Sequence, residues 1–207
     1  GVLGRNGGGN SSRIGMILGL LKQGSGEVII NGENIEKNKI SLLHKMNFIS
    51  TYIELPKKLK VKQNLIVYGK LYNIQNLNDR IDHLANKLRL KDLLNKITGE
   101  LSSGQKNRVS LAKALINDPT VLLLDEPTAS LDPETGDFVR SFLEDYKKEK
   151  KISVLLASHN MEEVKRLCSS VLMMKDGLIV DRGTPKELIT KYGRRNLEEV
   201  FLEIARK

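Results

Sequence analysis

The 207-residue chain predicts an α/β fold with a parallel sheet, and three observations carry that expectation. "TVLLLDEP" (120–127) and "SVLLASH" (153–159) are continuous apolar runs that end in polar residues. Runs of this kind are strands buried on both faces, as in a parallel sheet. Between them, "DFVRSFLEDYKK" spaces Phe138, Phe142 and Tyr146 four apart, a helical repeat. Strand, helix and strand in that order form the unit from which such sheets are built.

The other elements follow along the chain. Val2 and Leu3 read as a strand end that runs into the glycine-rich "GRNGGGNSS" (4–12). The chain opens on "GVLG" as if in mid-strand, so further N-terminal strands are expected ahead of Gly1. Next, "RIGMILGLL" puts Ile14, Ile17, Leu18 and Leu21 at helical spacing. "GSGEVIINGENI" reads as one strand bounded by turns, with Val28 and Ile30 alternating with Ile29. "KMNFIS" (45–50) reads as another short strand. From Val67 to about Asn95 the pattern is helical and polar-rich, with an apolar stripe through Leu84 and Leu88. "TGELSSGQ" breaks that pattern, and a helix over 105–117 restarts with Val109, Ala112, Leu115 and Ile116 on one face. Finally, "VLMMKDGLIVDRG" (171–183) is two strands about Asp176-Gly177, a hairpin signal.

Composition narrows the function classes. With 40% hydrophobic and 29% charged residues, this is an ordinary globular chain, long enough to bury a substantial core. The net charge of +9 is spread over short stretches, "LPKKLKVK" (55–62) and "YKKEKK" (146–151), interleaved with apolar or acidic residues. No aromatic-studded basic patch accompanies them, so they read as solvated faces and no nucleic-acid partner is expected. The single cysteine, Cys168, excludes an internal disulfide and an all-cysteine metal site, and reads as a small buried hydrophobe. His44 and His83 fit no motif and read as surface residues. No apolar run approaches the ~20 residues that span a bilayer.

Three stretches carry chemistry. In "GRNGGGNSS" the glycines offer backbone amides that can converge on phosphate oxygens, helped by the N-terminus of the following helix. Ser11 can ligate Mg²⁺ and Ser12 can bond a phosphate, although a bare glycine turn fits the same residues. In "VLLLDEP", Asp125 can hold Mg²⁺ and Glu126 can orient or polarise a water; a buried strand ending in an acidic turn is the alternative. In "LSSGQ" (101–105), Ser103 and the Gly104 amide stand at a helix N-terminus, either as an anion site or with Ser103 as a plain N-cap.

Taken together, the stretches resemble the nucleotide-binding domain of an ABC transporter, from Gly1 to Lys207. "LSSGQ" is similar to the family signature and "LLLDEP" to its Walker B strand with the adjacent glutamate. "ASLD" (129–132) resembles the D-loop, and His159 in "LLASHNMEEV" resembles the switch histidine. The resemblance implies a P-loop NTPase fold of ABC type: a mixed central sheet, a helical subdomain over about 65–100, an antiparallel β portion and a C-terminal helical tail over 184–207. It also implies ATP and Mg²⁺ as cofactors. Gly4, Asn6, Gly7, Gly9, Asn10, Ser11 and Ser12 would cradle the phosphates, and Ser11 with Asp125 would hold the metal. Glu126 would position water and His159 would contact the γ-phosphate of its own site. Two such domains associate head to tail, so Ser103, Gly104 and Gln105 would close the partner's site and Asp132 would couple the two. The adenine-stacking aromatic of the family would precede Gly1.

Two positions depart from the family pattern. Asn10 stands where Walker A has lysine. One charge-assisted phosphate contact is worth roughly 1.5–3 kcal/mol, so weaker binding and slower turnover at this site are expected. Thr51 stands where the Q-loop has glutamine, which bears on the metal and on coupling to the membrane partner. "STYIELPKKLKVKQNL" and "NLEEVFLEIARK" further resemble ATPases of ABC-2-type exporters. An export ATPase is therefore expected, with a second ABC domain, in a homo- or heterodimer, and an integral membrane permease as partners, on the cytoplasmic face of the plasma membrane. A catalytically impaired regulatory subunit, or a soluble relative acting on ribosomes or nucleic acid, is the alternative. The latter would carry two domains or a long inserted coiled coil, and the interval 65–100 is too short for one.

Overall fold

The computed structural model describes residues 1–4, 10–50 and 53–206, with the backbone alone at Asn10 and Ser11. In chain order it contains β1 (Val2–Gly4), α1 (Asn10–Ile17), β2 (Ile29–Ile30), β3 (Glu33–Asn34), α2 (Lys39–His44) and β4 (Met46–Ser50). Then come α3 (Val61–Leu71), α4 (Leu77–Lys87), α5 (Ser103–Ala114), β5 (Val121–Asp125), α6 (Pro133–Lys150) and β6 (Ser153–Ala157). The chain closes with α7 (Met161–Leu167), β7 (Val171–Lys175), β8 (Leu178–Gly183), α8 (Pro185–Lys191) and α9 (Leu197–Arg206). These elements form two units, one of residues 1–43, 123–126 and 154–207, the other of 44–122 and 127–153.

The first unit is built on a sheet with strand order β5-β6-β1-β7-β8. β1 runs parallel to β6 and β7, whereas β8 returns antiparallel to β7, so the sheet is mixed. The β7–β8 turn has Asp176 at φ 47° and Gly177 at φ 82°. Both central residues have positive φ, as a tight two-residue hairpin needs. Leu3, Leu123, Leu124, Leu156, Val171 and Met173 fill the core, which is why these strands read as apolar runs. α9 lays Leu197, Val200 and Ile204 inward and packs on β1 and β7. The segment that sequence patterning reads as one strand over 24–35 is instead the two-stranded hairpin β2–β3. Asn31 (φ 51°) and Gly32 (φ 80°) turn the chain there, and an Asn-Gly pair is a strong hairpin signal hidden inside the Val-Ile-Ile alternation.

In the second unit α3, α4 and α5 pack against one another through Val61, Leu65, Ile81, Leu84, Leu88, Val109 and Ala112, all fully buried. β4 flanks the start of β5, where the Thr120 N–H donates to the Lys45 carbonyl at 2.8 Å. Asp118 gathers three donors: the Tyr146 hydroxyl at 2.7 Å, Lys150 at 3.0 Å and Arg80 at 3.5 Å. They tie the chain ahead of β5 to α4 and α6. α6 turns Val139, Leu143 and Tyr146 inward. Phe138 and Phe142 flank that face: Arg89 lies 4.7 Å over the Phe138 ring, and Phe142 stacks on Tyr146 at 5.9 Å.

Candidate functional site

The sheet of the first unit aligns three strand ends at one edge. Val2 is in register with Ala157, and the Ala157 carbonyl accepts the Glu126 N–H at 2.8 Å. The ends of β1 (Gly4), β5 (Asp125) and β6 (Ala157) therefore meet, and ligands of open α/β sheets bind at the carboxyl ends of strands. α1 begins at Asn10, six positions after Gly4 at the end of β1. Arg13 holds this helix to the β7–β8 turn by donating to the Gly177 carbonyl at 2.6 Å. Ser12, in the first turn of α1, is exposed. Asn6, Gly7, Gly9 and Thr51, and the side chains of Asn10 and Ser11, lie outside the described residues.

Two carboxylates occupy the end of β5. Asp125 is buried at 8% exposure, in strand geometry. Glu126 leaves the strand at φ 51°, a left-handed conformation costly for a long side chain. The turn brings its Oε1 to the His159 N–H, which donates at 3.0 Å, with His159 Nε2 at 3.7 Å. Burial raises the Glu126 pKa above the ordinary carboxylate value, against the opposing pull of His159. A glutamate shifted upward beside a strand end is suited to receiving a proton from water.

The His159 loop is braced by residues that sequence reasoning did not single out. The Ser158 hydroxyl donates to Glu163 Oε2 at 2.5 Å and accepts from the Asn160 N–H at 3.0 Å. Asn160 caps α7 by accepting the N–H groups of Glu162 and Glu163 at 3.0 and 3.3 Å. Ser158 and Glu163 are both buried. A Ser-x-Asn-x-x-Glu reading as cap plus buried partner was available in the sequence, but only the helix boundary makes it visible.

The remaining predicted residues sit in the second unit. Ser102, rather than Ser103, is the N-cap of α5: its hydroxyl accepts from the Gln105 N–H at 3.3 Å. The Gln105 side chain returns the bond to the Ser102 N–H at 3.1 Å, completing a capping box. The helix accordingly starts at Ser103 rather than at 105 and stops at Ala114. Ser103 stays exposed in the first turn, while Gly104 is buried against Thr135, so close that an added Cβ would stand 3.0 Å from Thr135 Cγ2. Asp132 caps α6 by accepting the Thr135 N–H at 2.9 Å, and this bond lowers its pKa. Beside α5 a cavity of about 240 Å³ is lined by Ile49, Ile53, Leu55, Lys57 and Lys106 among others. His44 and His83 are exposed, as expected for residues outside the site; His44 meets Tyr72 edge-on at 5.8 Å. Cys168 is a free thiol, half-buried rather than fully buried.

Among the described residues no group of three or more His, Cys, Asp or Glu side chains forms a metal cluster. Mg²⁺ keeps waters and phosphate oxygens and takes only one or two carboxylates from protein. The buried Asp125 at the end of β5 is a side chain of the kind such an ion takes. Among the described residues no helix is long and apolar enough to cross a membrane.

Known proteins share this arrangement. The family model described as ABC transporter matches residues 1–129. The ABC transporter ATP-binding protein NatA of Bacillus subtilis (strain 168) is 32% identical over 205 residues, covering 98% of this chain and 83% of that protein. The bacitracin transport ATP-binding protein BcrA of Bacillus licheniformis is 34% identical over 201 residues, covering 96% of this chain and 64% of that protein. A solved structure of an ATP binding subunit of an ABC transporter matches with a TM-score of 0.85 at 25% identity, covering 98% of this chain and 85% of that one. The chain thus spans most of one relative and just under two thirds of the other. With its mixed sheet, its glycine-rich sequence after β1 and its adjacent carboxylates at the end of β5, the chain belongs to the ABC transporter family as an ATP-binding domain of the P-loop ATPase fold.

Proposed function

We propose that this chain binds ATP between the loop 4–12 and the end of β5, and hydrolyses it to drive export through a membrane permease. The observation that carries the reading is Glu126, held by a left-handed turn with its carboxylate against His159 and its pKa raised by burial. In this reading the backbone of Gly4–Ser12 and the N-terminus of α1 cradle the phosphates. Ser11 and Asp125 would hold Mg²⁺, which would supply neutralisation of phosphate charge. Glu126 orients the attacking water and takes its proton, and His159 senses the γ-phosphate. No covalent intermediate is needed, since phosphoryl transfer of this kind works by positioning and electrostatics.

A second ABC domain supplies its own signature to this site, while Ser103, Gly104 and Gln105 of this chain serve the partner's. Exposure of Ser103 at the start of α5 supports that role, and Asp132 links the two sites. The cavity lined by Ile49, Ile53 and Leu55 offers an apolar surface, which in this reading receives a cytosolic segment of the permease. Relatives named Nod factor export ATP-binding proteins support export, and the place proposed for the chain is the cytoplasmic face of the membrane.

Asn10 favours a second reading, in which this chain is a non-hydrolysing regulatory subunit. ATP binding and phosphate release by the full chain, with Asn10→Lys beside it, separate the two. Binding and turnover in the native chain, raised by Asn10→Lys, support the ATPase. No binding by the native chain and recovery in Asn10→Lys assign it to the regulatory class. Equal turnover by both removes any role for Asn10 in the rate.

A further inference from the structure

We propose that Phe201, on the C-terminal helix α9, is a positioning residue for His159 and so makes the tail helix part of the catalytic unit. The inference rests on the reading of His159 as the γ-phosphate sensor. The main chain at His159 is fixed: its N–H is bonded to Glu126, and Ser158 and Asn160 on either side are engaged with Glu163 and the start of α7. The imidazole is not fixed by those bonds. It keeps 44% side-chain exposure, and its Nε2 is 3.7 Å from Glu126 Oε1, beyond a good hydrogen bond. The ring contact on the tail side is Phe201, at 6.4 Å between centroids and 62° between planes. That is the edge-to-face geometry in which aromatic rings attract.

Phe201 is held firmly enough to serve as a stop. Leu197, Val200 and Ile204 bury one face of α9 against β1 and β7, and Phe201, four residues on from Leu197, sits at the flank of that face. The first turn of α9 is locked, because Asn196 accepts the Glu199 N–H at 2.9 Å and Glu199 accepts the Arg195 N–H at 3.1 Å. Arg194 adds an ion pair to Glu203 at 2.8 Å. The tail therefore carries a ring to a set place, and that ring limits where the imidazole can turn. Without it, the imidazole keeps its loose 3.7 Å contact with the carboxylate that must also act on water.

The test compares Phe201→Leu, Phe201→Tyr and wild type as the full chain. Three histidines give separate ring signals in ¹H–¹³C spectra, and His159→Ala assigns the one of interest. In Phe201→Leu the His159 ring signals shift while those of His44 and His83 stay, and the thermal midpoint falls by only a few degrees, as loss of one such contact predicts. In the same variant kcat for ATP falls about 2- to 10-fold with KM for ATP unchanged, the range that an edge-to-face contact can supply. Phe201→Tyr, which keeps the ring, rescues both readouts. If native turnover is too slow to measure, the same comparison is made on Asn10→Lys. Stationary His159 signals, an unaltered kcat, or a loss of rate that Tyr fails to rescue overturns the proposal while the ATPase reading stands. Absence of hydrolysis by wild type and Asn10→Lys alike overturns the ATPase reading, and the proposal with it.

Discussion

Lys113 gives the sharpest quantitative prediction, because its environment sets a stability slope with a definite sign. It projects from α5 toward β4 and donates to the Phe48 carbonyl at 2.9 Å and to Asn47 Oδ1 at 3.3 Å. Its ammonium also lies 5.5 Å from the centre of the Tyr68 ring. Burial lowers its pKa from the ordinary 10.5 to about 8. Below pH 8 both folded and unfolded chains hold the proton, and the cost of burying a cation counts in full against folding. Between about 8 and 10.5 the folded chain has shed the proton and the unfolded chain has not, so stability rises with pH. Across that window the gain is about 3 kcal/mol. The assay is urea unfolding of wild type and Lys113→Met at pH 7 and pH 10, compared as a difference of differences to cancel other titrating groups. Wild type should gain about 2–3 kcal/mol on the variant between the two values. Loss of the Phe48 contact costs the variant about 1 kcal/mol at both pH values and cancels, and Asn47 Oδ1 keeps the Phe48 N–H at 2.9 Å. A wild-type-to-variant gap that does not change with pH would falsify the account, since it would mean that the ammonium remains hydrated.

Three further outcomes follow from local geometry. Glu126→Gln keeps the acceptor for the His159 N–H, so stability should move by no more than about 0.5 kcal/mol. Phosphate release should meanwhile fall about 10²–10⁴-fold, and a variant retaining over about a tenth of the rate would remove Glu126 from the role of base. Ser102→Ala opens the capping box of α5 and should cost about 0.5–2 kcal/mol in guanidinium unfolding; a neutral result would show that the cap is idle. Gly177→Ala meets no atom within 4 Å but must adopt φ 82°, so thermal unfolding should report a loss of about 1–2 kcal/mol from backbone strain alone. Gly177→Asn should lose less, and equal losses would argue for a steric cause.

What could be read from the sequence was whatever is local and strongly patterned. Leu122–Leu124 and Leu156-Ala157 are buried because the strands are sealed on both faces, and an unbroken apolar run is the mark of that. Asp176-Gly177 signals its turn through backbone chemistry alone. The failures have equally definite causes. The spacing of Phe138, Phe142 and Tyr146 marks α6 as a helix without marking its buried face, which Val139, Leu143 and Tyr146 form. The two phenylalanines meet Arg89 and Tyr146 instead. The start of α5 moved from 105 to Ser103 because Ser102 and Gln105 cap each other, an exchange that "LSSGQ" contains but also obscures. The contact of Phe201 with His159 joins residues 42 positions apart through the packing of α9 on β1 and β7. No periodicity reports it.

The distribution of backbone strain adds an argument that no motif supplies. Among the described residues, positive φ at a non-glycine falls mostly on Asn31, Asn73, Asn76, Asp118 and Asp176, side chains that tolerate the left-handed region through local hydrogen bonds. Lys151 and Arg89 end α6 and follow the cap of α4, where a left-handed residue commonly closes a helix. Glu126 (φ 51°) and Ser130 (φ 63°) have neither excuse. Glycine at 126 would relieve the turn but remove the carboxylate that His159 engages. The strain is offset instead by two bonds, the Glu126 N–H to Ala157 at 2.8 Å and its Oε1 from the His159 N–H at 3.0 Å. A fold that needed only to end a strand would have no use for a glutamate here. Strain kept at a position where glycine would sit without it supports the role proposed for Glu126, alongside its place at the end of β5.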